Sequence, residues 1–300
     1  MSDILNRHYK GTKIFAGSSL SSYICINLNV TMLNFISLGS GSSGNCYYIF
    51  SETEGFFIDA GIGIRNIKRL LRLNGLSLDK VKAVFVTHDH ADHIKAVGYL
   101  ANDYNIPVYA TQPVHEGINK NYCVTSKLTS QHIRYIDKGQ VVQFGDFEIT
   151  PFEVPHDSSD NVGYTVRKDG VTFCLITDIG HVTETIAEQV RQANYLVVES
   201  NHDEDMLKMG PYPAYLKDRI SSGRGHLCNR EAGRLLAENA SEAMRHVWLC
   251  HLSEENNHPE LARKTVDAVL RSYGIIAGKD FEVEVLKRKT PSLLYDLQMK

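Results

Sequence analysis

The sequence predicts an α/β fold of the α+β kind, with strand hairpins and helices interleaved along one domain. Three observations predict it. From residue 33 onward, short apolar runs alternate with segments of helical periodicity. Hairpin signals interrupt the series, so the strict βαβ alternation of a doubly wound sheet is missing. Several apolar runs end on a histidine or an aspartate, as Phe56-Phe57-Ile58 ends on Asp59. That pattern gathers polar side chains at one rim of a sheet.

The elements follow in order. Asn34–Leu38, Tyr47–Phe50 and Gly55–Asp59 read as strands, Asn66–Leu73 as a helix, and 81–87 as a buried strand. A helix from His93 to about Tyr104 leads to a short strand at Ile106–Ala110. Residues 132–154 hold several short strands. Tyr164–Val166 and Phe173–Thr177 form a hairpin across Lys168-Asp169-Gly170, where Asp-Gly supplies the positive φ of a tight turn. Tyr195–Ser200, His246–Cys250 and Phe281–Lys287 are further strands, and Glu231–Glu238 and Pro259–Arg271 are helices. No short-period repeat and no linker interrupts the series, so 32–300 is expected to be a single domain.

Residues 1–31 differ in composition. Ser18 to Thr31 is rich in Ser and Asn without a clean period, which predicts a poorly ordered N-terminal extension. Met32 is a candidate start codon, in which case the upstream residues come from gene calling. Mass spectrometry of the native N-terminus tests this. The chain of 300 residues is 43% apolar and 22% charged, ordinary for a globular protein that buries a core. A net charge of −3 argues against a chain that binds nucleic acid through overall basicity, and leaves room for a local patch. Six scattered cysteines with no C-x-x-C pair suit a reducing cytoplasm rather than a disulfide framework. No run approaches the roughly 18–20 apolar residues of a membrane span. The start lacks the features of a signal peptide, and a cytoplasmic location is expected.

Gly39-Ser40-Gly41-Ser42-Ser43-Gly44 matches the spacing of a dinucleotide fingerprint, with Asp59 twenty residues after its first Gly. That fingerprint needs a helix directly after the glycines. Asn45-Cys46-Tyr47-Tyr48-Ile49-Phe50 follows instead and reads as a strand. A tight Gly/Ser hairpin loop is expected here, with backbone N–H groups that can face a substrate.

The segment His88-Asp89-His90-Ala91-Asp92-His93 follows the apolar run Val84-Phe85-Val86-Thr87. Residues two apart on extended chain point the same way, so His88 and His90 can grip one ion. Where the chain turns helical, Asp92 and His93 are carried off to grip a second. Imidazole and carboxylate donors without thiolate suit zinc, manganese or iron at a catalytic site. Asp59, His156, Asp178 and His251 each stand just past an apolar run and can complete the set.

With these residues in this order the chain resembles the metallo-β-lactamase superfamily over roughly 33 to 290. The resemblance implies an αββα sandwich, two mixed β-sheets flanked by helices, with the site at the sheets' edge. It implies that His88, His90 and His156 hold one divalent ion, that Asp92, His93 and His251 hold the other, and that Asp178 bridges. Asp59 would orient a ligand imidazole by accepting its far N–H. Two cations ~3.5–4 Å apart make a shared water acidic enough to give a bridging hydroxide near neutrality. Asp92 would orient that nucleophile or take up its proton.

The block from Asn201-His202-Asp203 through Met206-Leu207-Lys208-Met209-Gly210-Pro211-Tyr212-Pro213 to Ile220 resembles the YycJ/WalJ subfamily of 5′→3′ DNA exonucleases. Gly39 to Asn45, and His251-Leu252-Ser253 with Asn256 and Asn257, are similar to its other hallmarks. A more distant similarity to ribonuclease Z implies that Glu199 and His226 form a proton-donating pair. Cys228 stands where the subfamily pattern leads one to expect Ser. Lys208, Lys217, Arg219, Arg224, Arg230 and Arg234, interleaved with Tyr212 and Tyr215, fit a phosphate backbone with unpaired bases. Ser42, Ser43, Asn45, Lys217, Arg219, Arg224 and Asn229 are the expected substrate contacts. The expected function is a two-metal phosphodiesterase and DNA exonuclease. The alternatives are a hydrolase of a small phosphodiester or thioester, and a catalytically silent binding protein.

Overall fold

The computed structural model describes residues 32–298, so the extension expected over 1–31 lies outside the described residues. The first half holds β1 (Leu33–Gly39), β2 (Cys46–Phe50), β3 (Gly55–Ile58), β4 (Val81–Phe85), β5 (Val108–Ala110) and β6 (Ile133–Tyr135). The second holds β7 (Val142–Phe144), β8 (Phe147–Glu153), β9 (Val162–Lys168), β10 (Val171–Ile176), β11 (Tyr195–Glu199), β12 (His246–Cys250), β13 (Glu282–Val285) and β14 (Tyr295–Leu297). The helices are α1 (Ile64–Leu73), α2 (Ala91–Ile94), α3 (Val97–Tyr104), α4 (Gln112–Lys120) and α5 (Glu184–Gln192). They continue as α6 (Glu204–Met209), α7 (Ala214–Ile220), α8 (Asn229–Asn239) and α9 (Pro259–Ser272).

Two seven-stranded sheets result, in the orders β14-β1-β2-β3-β4-β5-β6 and β13-β12-β11-β10-β9-β8-β7. Both are mixed. From β14 to β3 neighbours are antiparallel, and from β3 to β6 they are parallel. The second sheet repeats the plan, antiparallel from β7 to β10 and parallel from β10 to β13. The inner faces meet in an aromatic core in which Phe35 packs on Phe173 and Trp248. The outer face of the first sheet buries Ile67, Leu70 and Leu71 of α1 and Leu100 of α3. That of the second buries Val190 of α5, Leu236 of α8 and Leu270 of α9. Each such side chain removed from water contributes about 1.5–3 kcal/mol. This is the αββα sandwich. Strands covered on both faces explain why β3 and the Ala83–Phe85 and Phe173–Ile176 stretches of β4 and β10 read as unbroken apolar runs.

The predicted elements recur with two instructive differences. The helix expected from His93 to Tyr104 is two helices, because the Ala96 amide donates to Ala60 O at 2.8 Å instead of continuing the first. The Gly/Ser segment joins antiparallel β1 and β2, as a hairpin loop should. Its amides at Ser40, Gly41, Gly44 and Asn45 are engaged by Lys287 O, Asn45 Oδ1, Gly41 O and Asp92 O, so these four do not face a substrate. The Asp169-Gly170 turn has φ of 49° and 81°, as predicted. No helix among the described residues is long and apolar enough to cross a membrane.

Candidate metal centre and active site

The C-terminal ends of β3, β4, β8, β10, β11 and β12 all point to one rim. Asp59 and His251 stand directly after β3 and β12, and Asp178 two residues after β10, with φ of 59°, 53° and 57°. Left-handed backbone is unfavourable for residues other than Gly and tends to persist where surrounding contacts over-determine it. Here it turns each side chain inward over the strand end.

Hydrogen bonds fix the imidazoles one by one. Thr87 donates through N and Oγ1 to Asp59, at 2.8 and 2.9 Å. With its hydroxyl proton so directed, Thr87 Oγ1 accepts from His88 Nδ1 at 3.0 Å, which leaves a lone pair on His88 Nε2. That Nε2 is buried and has no hydrogen-bond partner. Burial holds His88 well below the usual imidazole range, so it is neutral. His93 Nδ1 donates to Asp59 Oδ2 at 2.7 Å, directing Nε2 toward Asp178 and Asp92. His156 Nδ1 donates to Gly225 O at 2.9 Å, and its Nε2 lies 3.3 Å from His90 Nδ1.

The donors fall into two groups. Donor atoms of His88, His90 and His156 lie within 4.8 Å of one another, as do those of Asp92, His93 and His251. Asp178 sits between them, 3.3 Å from His93 Nε2, 3.3 Å from His251 Nδ1 and 3.7 Å from His156 Nε2. Burial works against ionising Asp178, but the imidazoles of His251, His93 and His156 hold its carboxyl below the usual range. Burial likewise opposes protonation of His251, yet Asp178, Asp92 and Glu199 hold it up to about 10. An orphaned buried nitrogen beside facing imidazoles and converging carboxylates fits divalent cations. A cation is what pairs these lone pairs and offsets the buried negative charge.

Glu199 ends β11 and is fully buried. Its Oε1 accepts from His226 Nδ1 and His251 Nδ1, each at 2.9 Å. Its Oε2 accepts from the Ile179 and Leu227 amides at 2.8 and 3.0 Å. His226 stays partly exposed and lines a cavity of about 170 Å³ with Ser42, Asn201, Tyr212, Arg219 and Ser253. Arg219 pairs with Asp157, which lies beside His156.

Not every expected contact reaches this cavity. Asn45 is buried beneath the hairpin loop, with Nδ2 3.0 Å from His93 Nε2. Asn229 is buried in an amide network with Ser200 and Asn257. Lys217 donates to Lys208 O, and Arg230 pairs with Glu204. Arg224 and Ser43 are exposed. Several residues were missed. Thr87 orients two imidazoles, and Asp89 ties the motif to Ser159 in the loop after β8 through Ser159 Oγ at 2.6 Å. Ser40 Oγ accepts from the His251 amide at 2.9 Å. A hydroxyl at a strand end is too common a signal to single out Thr87 or Ser40. Asp89 lay inside the motif and was a findable candidate.

A family model described as beta-lactamase superfamily domain matches residues 55–251. The chain is 36% identical over 260 residues to exodeoxyribonuclease YycJ of Bacillus anthracis, covering 87% of this chain and 97% of that protein. It is 34% identical over 246 residues to exodeoxyribonuclease WalJ of Streptococcus pneumoniae, covering 82% and 91%. The metallo-beta-lactamase fold protein YhfI of Bacillus subtilis superposes with a TM-score of 0.66 at 19% identity, over 89% of this chain and all of that one. The chain therefore belongs to the beta-lactamase superfamily, as a metal-dependent hydrolase of the group that holds YycJ and WalJ.

Proposed function

We propose that this protein is a cytoplasmic two-metal exodeoxyribonuclease that degrades DNA from its 5′ end. The observation that carries the reading is the Glu199–His226 pair at 2.9 Å, beside the cluster and at the wall of the cavity. It is supported by similarity to YycJ across 87% of this chain and 97% of that protein.

In this reading His88, His90 and His156 would hold one cation and Asp92, His93 and His251 the other, with the Asp178 carboxylate available to either. Zn2+ or Mn2+, with iron also suited to these donors, would supply Lewis-acid activation of water and neutralisation of phosphate charge. Asp59 and Glu199 fix ligand rings by accepting their far N–H groups. Asp92, partly exposed with Oδ2 3.2 Å from His251 Nε2, takes up the proton of the attacking water. The water oxygen bonds to phosphorus as the P–O bond to the leaving sugar breaks. His226 Nε2 then gives its proton to that leaving oxygen, while Glu199 stabilises the imidazolium through Nδ1. Burial disfavours the charged ring, but Glu199 raises the His226 pKa above the usual imidazole range, which suits a general acid. Ser42 and Arg219 contact the terminal nucleotide in the cavity, with Arg224 beside its Gly225 wall.

The test is a digestion of 5′- and 3′-labelled DNA by the metal-loaded protein, with bis-p-nitrophenyl phosphate and a thioester alongside. Cleavage of both phosphodiesters and progressive loss from the 5′ end are expected. Thioester hydrolysis with DNA untouched would overturn the reading.

A further inference from the structure

Helix α1 carries Arg65, Lys68, Arg69 and Arg72 in ten residues and no acid, on a chain whose net charge is −3. All four are exposed, while Ile67, Leu70 and Leu71 face the core. Like charges stand at i,i+4 twice, Arg65 over Arg69 and Lys68 over Arg72, and repel. Helices α4 and α9 instead interleave both signs, in the pairs Glu116–Lys120, Glu260–Lys264 and Asp267–Arg271. None of the four α1 cations forms an ion pair among the described residues. Lys68 instead donates to Tyr104 Oη at 3.0 Å and lies 5.3 Å above that ring.

Two surface cavities share Arg65. One, of about 520 Å³, runs along Lys68, Arg69, Arg72 and Tyr104. The other, of about 590 Å³, is lined by Gly63, Lys95 and Tyr99. Asp79 is the one carboxylate on either lining among the described residues. The second cavity starts beside the metal cluster in the chain, since Gly63 is four residues past Asp59 and Lys95 two past His93. The segments are tied together there by the Ala60 amide to His93 O, at 2.8 Å. From this end α1 runs for about 15 Å.

We propose that the α1 face is a track for single-stranded DNA, which guides the strand outside the catalytic rim. Phosphates lie along Arg65, Arg69, Arg72 and Lys95, and unpaired bases stack on Tyr99 and Tyr104. The assignment rests on the nuclease reading above. An anionic membrane fits less well, because the apolar stripe that a membrane-surface helix inserts is buried here against the sheet.

The experiment is anisotropy of labelled phosphorothioate oligothymidylates on the metal-loaded protein across a salt series. The proteins are wild type, Arg65→Ala/Arg69→Ala, and Arg263→Ala/Lys264→Ala on the opposite helical layer, which removes equal charge. The α1 variant is expected to bind a long oligonucleotide more than tenfold more weakly at low salt. Its log affinity–log salt slope should be shallower by about 1.4, while the α9 variant tracks wild type. The deficit should shrink for an oligonucleotide too short to reach α1. Equal behaviour of both variants, or wild-type affinity in the α1 variant, overturns the track. So does an α1-dependent retention on phosphatidylglycerol vesicles without change in DNA binding. DNA degradation by wild type alongside an unaffected α1 variant leaves the nuclease reading standing and removes only the track. A wild type inert on DNA that still shows α1-dependent binding removes the nuclease reading instead.

Discussion

Each sheet runs from three antiparallel pairs into three parallel ones, and the strand at the change ends on an aspartate in left-handed backbone. In the first sheet this is Asp59 after β3, in the second Asp178 after β10, with φ of 59° and 57°. Backbone, burial and residue type agree, yet the two carboxylates meet different neighbours. Asp59 is closed in by Thr87 and by the far side of His93. Asp178 faces His88, His93, His156, His226 and His251, all within 4.0 Å. Burial raises the Asp59 carboxyl, whereas the imidazoles pull Asp178 down despite equal burial. A strand-end aspartate is thus a generic way to present an oxygen at a rim. What stands opposite decides whether that oxygen orients one ring or faces several imidazoles at once.

Substitution at the two positions should separate these duties. Asp178→Asn removes a charge that both donor groups share. Metal content by mass spectrometry is expected to fall below that of wild type, with turnover at the level of chelator-stripped protein. Full metal loading in this variant would break the distinction. His226→Ala comes next. It should cost roughly 10²–10⁴-fold in kcat, with metal content intact. Metal loss in that variant would mean that His226 supports the ions rather than the leaving group.

Legibility in the sequence follows the same divide. The first sheet contributes His88, His90, Asp92 and His93 within six residues, so their proximity needs no knowledge of the fold. The second contributes His156, Asp178, Glu199, His226 and His251 from five separate segments. These were legible only because each closes an apolar run or matches a family pattern. Pairing between distant segments stayed hidden. The basic stretch between 208 and 234 read as a phosphate surface, but Arg219 and Arg230 find carboxylates on Asp157 and Glu204. Asn45 and Asn229 read as substrate contacts, but their partners lie across loops that no local pattern announces. The four cations of α1 stand within eight residues of sequence, yet they were not read as a surface.

Asp59→Asn tests the orienting side of the comparison. The amide keeps the shape and one acceptor, but with its oxygen toward Thr87 Oγ1 and His93 Nδ1 its NH2 faces the Thr87 amide donor. A roughly 10–100-fold loss of metal affinity is expected, with turnover recovered at saturating metal. Failure of excess metal to restore turnover would give Asp59 a share in the chemistry and narrow the gap between the two aspartates.

The smallest effect is expected where the second sheet's half of the site leans on a helix. His226 lies two residues before Cys228, the residue that caps α8. Cys228 faces the Glu231 amide in a capping box, and the Glu231 carboxylate accepts from the Cys228 amide at 3.3 Å. Burial pushes the thiol up to about 12, so it stays protonated and is a weak acceptor. A hydroxyl accepts the amide better and is preferred at this position. Cys228→Ser should therefore stabilise the fold by about 0.5–1 kcal/mol, a rise in Tm of about 1–3 °C by thermal unfolding. Turnover should not change, because the sulfur contacts the helix and not the cavity lining. A higher kcat in this variant would mean that a hydroxyl here reaches the chemistry. The second half of the site would then contain a group that its geometry assigns only to the helix end.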